Sequence, residues 1–505
     1  MWNVILSLLP IVVIIILLFV FKMSSAKAGF LSLIVTMLIA LFYNTSTHGP
    51  TEIAFASFHG VLIAMVVIYV LLFGIFLFHL MDQSGLISTL SSFVQNTTKD
   101  PARQVIILGV AFSPLIESVS GFGIGVVVIT PILIALGFNR YQAALVSLIS
   151  LSAVPWGALA TGIVIGSRLT DVSVQTIGVW SAYLCIPTFI YFAMISIYIL
   201  KGIRGIIEKW LELLLVSGAL AVGVWFSNQW VSVELSGVLG SLIALCIEGL
   251  FLFYFHHRSK SGVKTKKEKV SSLLEWISQY ASIIKVLMPY LFLTCLLIIS
   301  RVVPAVESAL TSFAVLKWEE YSFSLPILYS PGFFLLITCI FTILLFKLKK
   351  KVILSAMKST IKQLNPIAVT TISFIVLAEV MSKVGMTTTL AVAAGDSLGS
   401  GFFWISPLIG GFSGLITGSN AASNAMLIKL QIQAANQFNF STELIAGIQN
   451  TSASHMTMAS PSRVLLAATV SGEVKRESEL FRTIFLIAAG SLLLMMITAV
   501  FLRGT

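Results

Sequence analysis

Apolar residues run through this chain in blocks of about twenty, parted by short basic or polar breaks. A block of that length crosses a bilayer's hydrocarbon core as one helix. The blocks predict twelve such helices: Trp2–Phe21, then about Ala28–Tyr43, His59–Leu80, Gln142–Ile165, Val179–Leu200, Trp210–Asn228, Leu235–Phe255, Ile284–Val303, Tyr329–Phe346, Pro366–Met381, Thr442–Thr469 and Thr483–Leu502. The fourth is interrupted at Pro155, which lacks a backbone donor, and the eleventh breaks near His455–Pro461. Gln83–Gln95 reads as an amphipathic surface piece. Trp2–Phe21 lacks a basic leading segment and a small-residue cleavage site, so it reads as a retained helix rather than a signal peptide.

Two apolar stretches do not fit the count. In one, arms at Val105–Phe112 and Val126–Leu136 flank a polar tip of Glu117, Ser118, Ser120, Gly121, Phe122 and Gly123. In the other, about Phe402–Ala435, the tip is Thr417, Gly418, Ser419, Asn420, Ser423 and Asn424. Each first-hairpin arm is too short to span alone, so the pattern predicts re-entrant hairpins, at about 104–137 and 402–435. Irregular backbone at membrane depth persists only where protein or a water-filled cavity satisfies it. The two tips lie opposite one another at a sequence offset of 300. The same offset sets Gly137-Phe138-Asn139 against Gln437-Phe438-Asn439, Ser152-Ala153 against Ser452-Ala453, and Pro155 against His455. A broken segment at the same place in both halves is the signature of an internal repeat.

Charge gives the halves a direction. The net charge is +11, yet only 10% of residues are charged and 57% are hydrophobic, with a mean hydropathy of +1.01. The basic residues cluster in short loops, above all Arg258, Lys260, Lys264, Lys266, Lys267 and Lys269, as cytoplasmic loops do. A topology signal explains them without nucleic acid. Counting loops this way places both termini outside, and starts the first helix outside but the eighth inside. The expected fold is therefore an all-α polytopic membrane protein of about twelve helices plus two re-entrant hairpins, in two inverted repeats. Residues 1–209 form the first repeat, 210–283 a connector of two helices and the basic loop, and 284–505 the second repeat. Cys185, Cys246, Cys295 and Cys339 lie in apolar segments without metal spacing. No nucleotide-binding, zinc-hydrolase or nucleophile-elbow motif occurs, so no cofactor, metal or enzymatic activity is expected. Opposed broken segments in inverted repeats instead describe a secondary transporter.

The blocks ESVSGFGIGVVV, ALGFNRYQAALVSLISLSAVPWGAL, LITGSNAASNAML, MASPSRVLLAA and VKRESELFR, taken with their spacing, resemble the L-lactate permease family through nearly the whole chain. The resemblance implies a bacterial inner-membrane symporter carrying L-lactate, glycolate or a related 2-hydroxy monocarboxylate with a proton. Kinship with a larger superfamily of inverted-repeat ion transporters implies an elevator-like mobile unit and a homodimer. Three positions depart from the family pattern. Val119 and Ser120 stand where two alanines are usual, Asn420 stands for an aspartate, and Met456–Ala459 lacks a lysine. One negative and one positive charge thus drop out together, which costs less than losing either alone.

Glu117, which matches the family's glutamate, is the expected proton carrier, because an intramembrane carboxylate must be paired, protonated or wetted. The two tips are expected to bind the substrate, with amides and hydroxyls for its carboxylate and hydroxyl, and Phe122 for its alkyl group. Ser452 joins them on a polar face with Asn450 and Thr451. His455, opposite Pro155, is expected to share the proton. Lys429 is a weaker anion candidate, and His59, His79, Glu248 and Glu379 read as structural. The alternatives are a sodium-coupled or substrate-switched carrier of the same fold, with TGSNAASN as the sodium site, and an anion channel.

Overall fold

The computed structural model describes residues 2–43, 49–259 and 266–503. Part of the expected outer loop (44–48) and the middle of the basic loop (260–265) lie outside the described residues, as do both terminal ends. In chain order the helices are α1 (Trp2–Ile15), α2 (Ser25–Phe42), α3 (Pro50–Gln83), α4 (Leu86–Thr97), α5 (Pro101–Val105), α6 (Ser113–Ser120), α7 (Ile124–Ala135), α8 (Arg140–Ile149), α9 (Gly157–Leu169) and α10 (Val174–Trp230). There follow α11 (Ser236–Ser259), α12 (Lys266–Val302), α13 (Pro304–Ser312) and an antiparallel ribbon of β1 (Val315–Trp318) and β2 (Phe323–Pro326). The chain closes with α14 (Pro331–Leu345), α15 (Lys350–Lys383), α16 (Met386–Leu398), α17 (Phe402–Thr417), α18 (Asn420–Gln437), α19 (Thr442–Thr457), α20 (Pro461–Ser471) and α21 (Glu477–Leu502).

Among the described residues, eleven helices are long and apolar enough to cross a membrane, and the chain is a multi-pass membrane protein. The expected helices are modified in three places. Val179–Leu200 and Trp210–Asn228 join into the 57-residue α10, bent at Gly202, whose φ of 63° only glycine adopts freely. α14 has 15 residues, short of a full span. α12 begins at Lys266, well before the expected Ile284. The ribbon is an element that an all-α reading omits. It covers Leu62 and Val66 of α3 with Phe323 and Leu325.

The repeat recurs element by element. α3 and α15 each hold 34 residues and start 300 positions apart. Each ends one residue before a left-handed glycine, Gly85 (φ 78°) and Gly385 (φ 85°), that turns the chain into a shorter helix. These two equivalent helices pack side by side in opposite directions. Glu52 pairs with Lys383 (3.1 Å) and His59 with Glu379 (2.7 Å) at one end; His79 meets Gln363 (3.0 Å) and Gln83 meets Ser359 (3.1 Å) at the other. Gly60 permits the close approach, because a Cβ there would lie 2.8 Å from the Val376 Cα.

Burial is graded from edge to centre. The most apolar windows of α1 and α21 are only 17% and 33% buried, whereas residues 101–120 are buried throughout. That stretch holds a π-helical segment, Ile106–Phe112, between α5 and α6. Its irregular backbone is tolerated because protein, not lipid, surrounds it.

Candidate substrate and proton site

Two left-handed turns face each other at the centre. The first is the tip between α6 and α7, where Gly121, Phe122 and Gly123 have φ of 68°, 56° and 80°. It is narrower than the polar stretch suggested, because Glu117, Ser118 and Ser120 all belong to α6. The second lies where the fourth predicted span breaks. After a 3-10 stretch at Ser150–Trp156, Ala158, Leu159 and Ala160 take φ of 42°, 51° and 64°. Left-handed backbone at residues with a Cβ costs on the order of 1 kcal/mol each, and it persists only where the surroundings impose it. A Cβ on Gly121 would lie 2.8 Å from the Ala158 Cβ, so glycine is needed for the two turns to meet.

A small cavity opens at this junction, lined by Glu117, Gly121, Phe122, Ala158, Thr161 and Gly162, with Ser419, Asn420 and Arg463 closing the other side. Glu117 is buried, 1% exposed. Its Oε1 accepts from the Gly123 N–H (3.1 Å) and its Oε2 from the Gly125 N–H (3.4 Å). The first-turn amides of α7, expected to greet an anionic substrate, are therefore occupied by the protein's own carboxylate. The helix dipole favours such an arrangement.

The residue that sequence reasoning missed is Arg463. It sits in the first turn of α20, just past the break, where the Ser460 Oγ accepts from its backbone N–H. Its side chain is 5% exposed, and its Nη2 stands 3.7 Å from Glu117 Oε1. Its Nε and Nη1 are buried without a hydrogen-bond partner. A buried guanidinium with two idle donors, facing a cavity, fits a planar carboxylate. The signal was available: a lone arginine between apolar arms at membrane depth is a functional candidate in itself.

The second tip supplies acceptors. The Ser419 Oγ caps α18 by accepting from the Ala422 N–H. Asn420 and Asn424 each donate from Nδ2 to the Asn450 Oδ1 at 2.8 Å, and Asn424 also donates to the Gly162 carbonyl. Asn450 in turn donates to Ser181. Both amide oxygens, Asn420 Oδ1 and Asn424 Oδ1, remain buried and unpartnered.

The other expected site residues lie elsewhere. Ser118 donates to the Pro114 carbonyl and presses against Gly237 of α11. Ser120 is buried with no partner and does not line the cavity. Thr417 and Ser423 bond to each other and knit the second turn, in which Gly418 takes φ 65°. Ser452 donates back to the Ile448 carbonyl, where α19 packs on Gly410 of α17. His455 lies in a separate polar nest, its Nε2 3.5 Å from Thr188 and 3.8 Å from the Cys185 Sγ, its Nδ1 3.4 Å from Ser491. Lys429 stands 3.6 Å from Glu379, which also holds His59. Glu248 lies 3.6 Å from Arg103, itself paired bidentately with Glu212 (2.8 and 2.9 Å).

Comparison with known proteins adds an independent line. The sequence profile of the family described as L-lactate permease matches residues 3–326 and 317–503. The chain is 25% identical to an L-lactate permease of Salmonella typhi, over 91% of this chain and 88% of that protein. It is 27% identical to the glycolate permease GlcA of Escherichia coli K12, over 94% and 91% respectively. It is 26% identical to an L-lactate permease of Streptococcus iniae, over 87% and 92%.

Proposed function

The chain belongs to the L-lactate permease family, and on that premise we propose that it is a secondary transporter of L-lactate, glycolate or a related small 2-hydroxy monocarboxylate, moving by proton symport and alternating access across the bacterial plasma membrane. The observation that carries the reading is Arg463, buried with Nε and Nη1 idle beside Glu117. A 2-hydroxy acid presents a carboxylate and a neighbouring hydroxyl. The guanidinium takes the carboxylate, the Asn420 Oδ1 accepts from the hydroxyl, and Phe122 packs on the short alkyl end.

Charge then dictates the coupling. With no substrate, Glu117 and Arg463 neutralise each other. An arriving carboxylate competes for the guanidinium and leaves Glu117 a second, unbalanced anion. A proton taken up on Glu117 restores neutrality, so the loaded site holds protonated Glu117, Arg463 and the substrate anion with no net charge. Substrate without a proton, or a proton without substrate, leaves one uncompensated charge at membrane depth, which costs about 2.5–3.5 kcal/mol or more. The empty and fully loaded forms are thus the two that cross. We assign the proton to Glu117 alone and regard His455 as structural.

The architecture supports the alternation. Equivalent helices α3 and α15 run antiparallel, as inverted repeats require, and the two polar breaks sit on either side of one cavity. We read α6–α7 and α17–α18 as re-entrant hairpins in a mobile unit with the broken helices α8–α9 and α19–α20. α3 and α15 would belong to the scaffold, and both termini would lie outside.

The deciding experiment is uptake of radiolabelled L-lactate into vesicles holding the purified protein, with and without an inward proton gradient, for wild type and Glu117→Gln. Gradient-driven accumulation by wild type is expected. The variant should lose it yet keep substrate exchange. Equal accumulation by both proteins would remove Glu117 from the proton path. A second reading is favoured by the unpartnered Asn420 and Asn424 oxygens, which suit a sodium ion. Loss of uptake when choline replaces sodium at constant pH would favour it over proton coupling.

A further inference from the structure

A second cavity, of about 240 Å³, adjoins the first. The two share Thr161, and the left-handed turn divides them, with Ala158 on the central side and Leu159 on the other. The second cavity lies at the ends of α9 and α12 and beside the ribbon. By the loop-charge topology this is the outer face. Its wall is largely apolar, with Val66, Val70 and Val164 among its lining, but two arginines, Arg168 and Arg301, face it.

Arg301 is held there by three separate segments. It occupies the last turn of α12. Its guanidinium stacks on the Tyr329 ring at 3.6 Å. Its Nη2 donates to the Tyr329 carbonyl (2.9 Å) and to Glu234 Oε1 (3.3 Å), in the turn between α10 and α11. The side chain is only 6% exposed, and Nη1 is buried with no partner. The group is thus oriented and half-used, as Arg463 is. Arg168 is less enclosed; it donates to the Ser324 carbonyl (3.2 Å) and lies over the Phe323 ring. Burial pushes the Tyr329 phenol up to about 12, so it stays neutral at any working pH and serves as a flat platform. Two arginines against the single carboxylate of Glu234 leave this lining net positive.

We propose that this vestibule is a second, capture subsite for small monocarboxylates, in which Arg301 Nη1 binds the carboxylate before it passes Thr161 to Arg463. The inference rests on the transport reading above. A positively charged, low-dielectric funnel raises the local concentration of an anion and its rate of arrival. The same device has no counterpart to serve from the other membrane face, so it acts in one direction of approach only.

The test is the initial rate of radiolabelled L-lactate uptake against concentration, in right-side-out and in inverted membrane vesicles, for wild type, Arg301→Gln and Arg301→Lys. For Arg301→Gln, kcat/KM from the vestibule face should fall about tenfold through KM, with the saturating rate within twofold of wild type. KM from the opposite face should not change. Arg301→Lys should recover part of the loss by keeping the charge. Raising ionic strength should depress the wild-type kcat/KM from the vestibule face and leave that of Arg301→Gln almost flat. An unchanged KM on the vestibule face overturns the proposal. So does an equal change on both faces, which would mean that Arg301 acts through the fold or the central site. If Arg301→Gln does not assemble, Arg168→Gln with the ionic-strength series decides the question by the same criteria. Wild type that carries no lactate or glycolate at all would instead strike the transport reading, and the two failures are distinct.

Discussion

Replacing Arg463 by glutamine tests the centre of the site most directly. The guanidinium has two idle donors, Nε and Nη1, within a cavity that the substrate must share with Glu117. Hydrogen bonds to charged groups contribute about 1.5–3 kcal/mol each, and the neutral amide of glutamine restores about 1 kcal/mol. The net loss is about 2–4 kcal/mol, which raises the Kd for L-lactate by about thirtyfold to several hundredfold at 1.4 kcal/mol per decade. The same change strands Glu117, whose Oε1 lies 3.7 Å from the guanidinium. Removing one member of a buried pair costs about 3–5 kcal/mol of stability, offset here by the Gly123 and Gly125 amides and by protonation of the carboxyl. The double variant Glu117→Gln/Arg463→Gln therefore recovers thermal stability without recovering affinity. Calorimetric titration of L-lactate into the detergent-purified proteins, alongside their melting curves, measures both quantities. A Kd within threefold of wild type for Arg463→Gln would refute the assignment of the carboxylate to this residue. A double variant no more stable than the single one would refute the charge pairing.

Two other outcomes follow from the geometry. His455→Gln should leave the pH profile of gradient-driven uptake unshifted, because the ring touches Cys185, Thr188 and Ser491 rather than the cavity; an acid-limb displacement of half a unit or more would return the histidine to the proton path. Asp100, in the loop before α5, is pushed up by burial, but Lys209 at 2.6 Å and Lys201 at 3.4 Å outweigh that and hold its carboxyl below the ordinary range. A depressed folded-state value stabilises above the unfolded value of about 4 and is lost as pH falls through the folded one. Asp100→Asn, which keeps the cap on the Ala102 N–H, should thus lower stability by under about 1 kcal/mol at pH 7. The gap from wild type should close toward pH 3, and a pH-independent gap would mean that the charge is not its source.

The long apolar blocks made most helices legible, since a twenty-residue run has few other uses. The breaks at Pro155 and at His455–Pro461 were equally plain, because proline and small polar residues have no place inside a lipid-facing helix. What the pattern could not show was direction of side chains. Glu117 was found as a charge among apolar neighbours, but Ser118, Ser120 and Ser452 looked alike and turned back onto their own helices or neighbouring packing. Within a buried helix, small hydroxyls serve packing and binding with the same composition. Arg463 went unnoticed because it stood in a motif read for its serine and proline. The left-handed turn at Ala158–Ala160 had no sequence signal, since alanine and leucine favour helix and only tertiary contact forces them out of it.

The Glu117–Arg463 pair has one more consequence for the cell. If both crossing forms carry no net charge, the membrane voltage does no work on either, and the carrier responds to the pH difference alone. At equilibrium, a tenfold lactate ratio then balances each unit of pH difference, at about 1.36 kcal/mol per unit. An alkaline cytoplasm would draw lactate in as food, and an acidifying one would drive it out as waste. The same protein would serve as inlet or drain, with the direction set by the medium.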